Sequence, residues 1–171
     1  MADVELKDDS MELREMIATA FGQVPYPGND AIALHECLEC QDIRRDFRRQ
    51  SPWTIEASVL ERRYDSQPLL SPQAFQYFLP AYMIYALGHL NSLVAQFTQY
   101  SLAPTDFDDW HRQRFSRFTT SQKASIIAFL EFMKTLEIEG DDEDQMEYCD
   151  KLNSGINIWQ SIQTAQQSTS P

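Results

Sequence analysis

Apolar residues recur along this chain at spacings of three and four, the signature of helices that pack by one face. Leu13, Met16, Ile17 and Ala20 form such a stripe over residues 10–21, and Gly22 stops it. A second helix is expected over 29–49, capped by Asn29 or Asp30, with Ala33, Cys37, Cys40, Ile43 and Phe47 able to pack together. Ser51-Pro52 breaks the chain, with Trp53 expected to anchor the break. A shorter helix over 54–64 carries Ile55, Val59 and Leu60. Further on, Leu93, Val94, Phe97 and Tyr100 mark one helix, and Phe107, Trp110, His111, Phe115 and Phe118 another. The cleanest stripe is Ile126, Phe129, Leu130, Met133 and Leu136, which Gly140 is expected to end. Met146, Cys149, Leu152, Ile156 and Trp159 give the tail an apolar side. Nowhere does the pattern alternate with period two, so the chain reads as all-α.

The segment 71–88, SPQAFQYFLPAYMIYALG, is the longest run with almost no charge, and the fold is expected to centre on it. Ser71 suits the N-cap and Pro72 the first helical position. Phe75, Phe78, Leu79, Tyr82, Met83 and Ala86 follow at helical spacing. Tyr77, Ile84 and Tyr85 add bulk on the other sides, so the helix is predicted to be covered nearly all round. Pro80 cannot donate to the Gln76 carbonyl, which predicts a kink or two abutting helices. An aromatic core helix is favoured over a ligand groove lined by Tyr77, Tyr82 and Tyr85. The resulting expectation is a single all-α domain over 10–162, a multi-helix bundle around a kinked central helix at 71–88. Residues 1–9 and 163–171 are expected to be disordered, and an acidic segment at 137–150 to join a C-terminal helix.

The chain's 171 residues suffice for one domain, burying roughly 70% of the unfolded chain's surface. Only 5 residues are glycine, and neither the dinucleotide fingerprint nor the phosphate-loop motif is present. The net charge of −12 opposes binding to nucleic-acid backbones and to anionic membranes, and suits a basic protein partner. The N-terminal MADVELKDDS is acidic and lacks the apolar core of a secretion signal. With three cysteines, an odd number, this points to a reducing cytoplasm.

Soft metal ligands cluster at one place, His35-Glu36-Cys37-Leu38-Glu39-Cys40. At about 100° per residue, Cys37 and Cys40 lie roughly 60° apart on a helix, while His35 points roughly 140–160° away from both. A zinc site using His35, Cys37 and Cys40 therefore requires the helix to begin after His35. It also requires a fourth ligand, with His89, His111 and Cys149 as candidates. A redox dithiol is the second reading, opposed by the charges of Glu36 and Glu39. Packing of both cysteines as small apolar residues beside Ala33, Ile43 and Phe47 is the favoured reading. Glu36 falls on the buried side of a regular helix and would need an arginine such as Arg44, Arg45 or Arg14. The arginines at 44, 45, 48, 49, 62, 63, 112, 114 and 117 are expected to pair with the excess acids rather than to form an anion site.

Val24-Pro25-Tyr26-Pro27-Gly28, His35–Cys40, Trp53 and the run from Leu69 to Tyr82, with the helix around 124–130, resemble a bacterial domain-of-unknown-function family, number 6714. The resemblance covers residues 13–136 and leaves the acidic tail outside. It implies a small bacterial cytoplasmic protein and carries over no catalytic residue. The functional expectation is a non-enzymatic, acidic protein–protein interaction module, immunity-like or adaptor, that binds a basic partner. The alternative is a zinc-binding domain, which could be enzymatic, built on His35, Cys37 and Cys40.

Overall fold

The computed structural model describes residues 2–136 and 141–167. They form eight α-helices and one short 3-10 turn, with no strand among the described residues. The fold class is thus all-α. The chain divides into two compact units. One is drawn from residues up to Ala20 together with those from Leu102 onward, and the other is Phe21–Ser101.

The Phe21–Ser101 unit is built on α4 (Pro72–Gly88). The Ser71 hydroxyl caps it by accepting from the Ala74 N–H at 3.1 Å. The helix runs unbroken through Pro80, one helix where two abutting ones were a possibility. Ten of its side chains are buried, among them Phe75, Phe78, Leu79, Tyr82 and Met83. Each of the three tyrosines has a partner within the fold. Tyr82, fully buried, donates to the Arg63 carbonyl at 2.9 Å. Tyr77 meets the Tyr26 ring edge-on at 5.5 Å. Tyr85 donates to Glu61.

The helix expected over 29–49 is shorter, α2 (Leu38–Phe47). The reason lies in the carbonyls of residues 31–35. Ala31 O and Ile32 O accept from Ser71, while Ala33 O and His35 O accept from the Arg44 guanidinium at 2.7 and 2.9 Å. These carbonyls serve side chains and a distant backbone N–H instead of a helical ladder. At the far end of α2, Arg49 takes a left-handed φ of 58°. Its N–H donates to the Tyr26 hydroxyl at 2.9 Å, and that hydroxyl donates to Asn29 Oδ1 at 2.6 Å. Gly28 supplies the φ of 90° needed between Tyr26 and Asn29.

Next, α3 (Ala57–Arg62) lies against α2 through Asp46, whose Oδ2 is 2.8 Å from Arg63 Nη2 and 3.2 Å from Arg62 Nε. Trp53 is 42% exposed and so does not anchor the preceding turn from within the core. The turn at Gln67–Leu69 leads into α4, and Gln67 Nε2 donates to Thr98 Oγ1 on α5 (Leu93–Leu102) at 3.1 Å.

In the other unit, α1 spans Ala2–Phe21, so helical backbone covers residues expected to be disordered. An acidic run such as MADVELKDD suits the positive end of a helix dipole. Two further helices, α6 (Asp109–Phe115) and α7 (Thr120–Lys134), follow. A capping box, Thr119 with Gln122, starts α7, and Gln122 Nε2 also donates to Ala20 O at 3.2 Å. The long C-terminal helix α8 (Asp142–Gln167) packs on α7 and extends past Ile162, where disorder was expected to begin. Gly140, the expected stop for α7, lies outside the described residues.

Trp159 of α8 is fully buried. It stacks on Phe115 at 4.0 Å and donates its indole N–H to Leu102 O at 2.8 Å. Gly155 permits that approach, since a Cβ there would sit 2.4 Å from Ala103 Cβ. Among the described residues no helix is long and apolar enough to cross a membrane.

Candidate functional site

The start of α2 brings two of the three singled-out residues together. Residues 33–36 run as a strap across the first turns of α2, held by Arg44 and by Gln41, whose amide donates to Glu36 O at 3.2 Å. Glu36 lies on this strap rather than on the buried face. It is exposed and pairs with Arg44 at 3.1 Å. The strap delivers Cys37 to the N-cap position, where its sulfur accepts from the Cys40 N–H at 3.3 Å.

Cys37 is exposed and Cys40 is buried, on the same stripe as Ile43 and Phe47. The side-chain hydrogen bond from Cys40, joined by its backbone N–H, holds the Cys37 thiol below the usual range, against the opposing charge of Glu39. Burial pushes the Cys40 thiol up, and its hydrogen bond to Cys37 adds to the rise. Leu34 and Leu38, which flank Cys37, are 63% and 80% exposed. Periodicity alone placed both cysteines inside a helix. The i, i+3 spacing of a cysteine able to cap was the signal for this arrangement.

His35 precedes the helix, as a zinc site requires, but its side chain is exposed and does not join the two sulfurs in a ligand set. The candidates for a fourth ligand have other partners. His89 stacks on Tyr85 at 4.1 Å, His111 Nδ1 is 2.7 Å from Asp108 Oδ1, and Cys149 accepts from Gln145. Among the described residues no group of three or more His, Cys, Asp or Glu side chains is placed to hold a metal.

Most of the clustered arginines are spent on acids: Arg44 on Glu36, Arg45 on Asp42, Arg62 and Arg63 on Asp46, and Arg112 on Asp109. An open hollow is lined by Asn29, Asp30, Gln41, Arg44, Arg45 and Arg48, and Asp30 in its wall opposes an anion. Arg114 is buried against Trp110, its guanidinium 4.8 Å from the ring centroid, and burial lowers its pKa to about 9.

A second surface feature lies on α8. Asp142, Glu143, Met146 and Asp150 fall within about 100° of arc at helical geometry, and all four are exposed. Among the described residues none of these three acids is in an ion pair. Asp141 caps the helix instead, its Oδ1 accepting from the N–H groups of Glu143 and Asp144. Met146, at 61% exposure, stands in the middle of the acids.

The chain belongs to a family of unknown function, DUF6714, whose model matches residues 9–163. The match runs into α8 as far as residue 163, so the acidic segment at 137–150, expected to lie outside the family resemblance, lies within it. No curated protein matches the chain, and no solved structure does.

Proposed function

We propose that this protein is a non-enzymatic interaction module that docks a basic protein segment on the exposed acidic face of α8. The observation that carries the reading is Met146 set among Asp142, Glu143 and Asp150, three carboxylates without a cationic partner among the described residues. An interface of this kind uses charge to steer and select its partner, and a central apolar anchor to hold it. The net charge of −12 adds a long-range attraction for cations and disfavours a nucleic-acid partner. Titration calorimetry with a lysine- and arginine-rich helical peptide tests it. The triple variant Asp142→Asn/Glu143→Gln/Asp150→Asn should weaken binding about tenfold or more, and added salt should weaken the wild type similarly. Equal affinity of wild type and variant would overturn the reading.

Zinc binding is the second reading, because α2 begins after His35 and Cys37 caps it three residues before Cys40. Cys37 and Cys40 would supply two ligands, His35 would have to turn in as a third, and a fourth is needed. Metal analysis of the untagged protein decides it: about one zinc per chain, lost in Cys37→Ser, would support it, and no zinc would remove it.

A further inference from the structure

We propose that Cys37 and Cys40 form a thiol–disulfide exchange pair, in which Cys37 attacks an external organic disulfide and Cys40 resolves the adduct. The roles follow from position. Cys37 is exposed at the N-cap of a ten-residue helix, and Cys40 lies behind it, buried. The Cys40 N–H donates to the Cys37 sulfur at 3.3 Å. That places the exposed sulfur at the helix N-terminus, open to an external disulfide, with the second sulfur one turn behind it. Residues three apart in helical geometry have Cα atoms about 5 Å apart, within the roughly 4.4–6.8 Å that a disulfide spans. The exposed Leu34 and Leu38 offer apolar contact beside the reactive sulfur.

The exchange balances without a metal or a further cofactor. The Cys37 thiolate bonds to one sulfur of RSSR, the S–S bond breaks, and RS⁻ leaves and takes a proton. Cys40 then loses its proton and its sulfur attacks Cys37. The mixed disulfide breaks, a second RS⁻ leaves, and an intrachain Cys37–Cys40 disulfide remains. The chain is oxidised by two electrons and RSSR is reduced to two RSH.

The test uses the full, reduced chain with oxidised glutathione, followed by intact and peptide mass spectrometry. The wild type should lose two hydrogen masses, located at residues 37–40, with no retained glutathione. Cys40→Ala should stop at a glutathione adduct on Cys37. Cys37→Ser, which keeps a capping oxygen, should react about tenfold more slowly or worse. Circular dichroism of each variant confirms that it is folded, and Cys149 serves as the internal reference thiol. A wild type that retains the adduct, Cys37 reacting no faster than Cys149, or thiols shielded by bound zinc would each overturn the proposal.

Discussion

Arg63 grips a single oxygen of Asp46, with its Nε and Nη2 each 2.8 Å from Oδ2, and both side chains are nearly buried. Burial alone would raise the Asp46 carboxyl, but hydrogen bonds from Arg63 and Arg62, with their charges, outweigh it and hold the group below the usual carboxylate range. The pair joins the C-terminal half of α2 to the end of α3 and so fixes the helix that carries both cysteines. Asp46→Asn should lower the unfolding free energy by about 2–4 kcal/mol at neutral pH, because it strands a nearly buried arginine.

That loss should depend on pH in one direction. The folded state holds Asp46 ionised more strongly than the unfolded chain does, so its contribution is complete above the unfolded value of about 3.9. It fades as pH falls through the lower folded value. Denaturant midpoints of wild type and Asp46→Asn should therefore converge in acid and separate above pH of about 5.

Lys123 on α7 is fully buried, and its ammonium has no hydrogen-bond partner among the described residues. Burial lowers its pKa. The cost of holding it charged is present at all pH values below the folded pKa and is relieved as pH climbs from there towards about 10.4. Lys123→Met should raise stability by about 1–3 kcal/mol at neutral pH. Chemical denaturation at neutral and alkaline pH checks this, and the gain should shrink in alkali.

Gly155 marks a close approach that alanine cannot share. Its Cβ would stand 2.4 Å from Ala103 Cβ and 2.8 Å from Ala103 Cα. Alanine gains up to about 1 kcal/mol of helix propensity. Overpacking at an approach this close should exceed that gain, so Gly155→Ala is expected to cost about 1–3 kcal/mol net. A lowered melting temperature in calorimetry, with unchanged helical circular dichroism, is the expected outcome.

Arg49 is strained in the opposite sense. Its left-handed φ follows the end of α2, a place where glycine is at ease. Arg49→Gly should stabilise by about 0.5–1 kcal/mol in denaturant titrations. The Arg49 N–H bond to Tyr26 survives the change because it uses backbone only.

The helices whose caps and stripes coincide were legible in the sequence. Ser71-Pro72 and Thr119 start α4 and α7 where the pattern placed them. What escaped was set by contacts distant along the chain. Residues 31–36 carry a helical pattern, yet Ser71 and Arg44 take their carbonyls, and α2 begins only after Cys37. The i, i+3 spacing of Cys37 and Cys40 is the one local signal of that cap. Lys123 falls on the buried stripe by its spacing, three and seven residues before Ile126 and Leu130. The packing of Cys40 was legible for the reason given, its place beside Ile43 and Phe47.

Docking on α8 is tested most directly by amide and methyl chemical-shift mapping of the full chain with the lysine- and arginine-rich peptide. Shifts should concentrate on residues 142–150, including the Met146 methyl, and disappear in high salt. Shifts spread evenly over other helices, or none on α8, would contradict it.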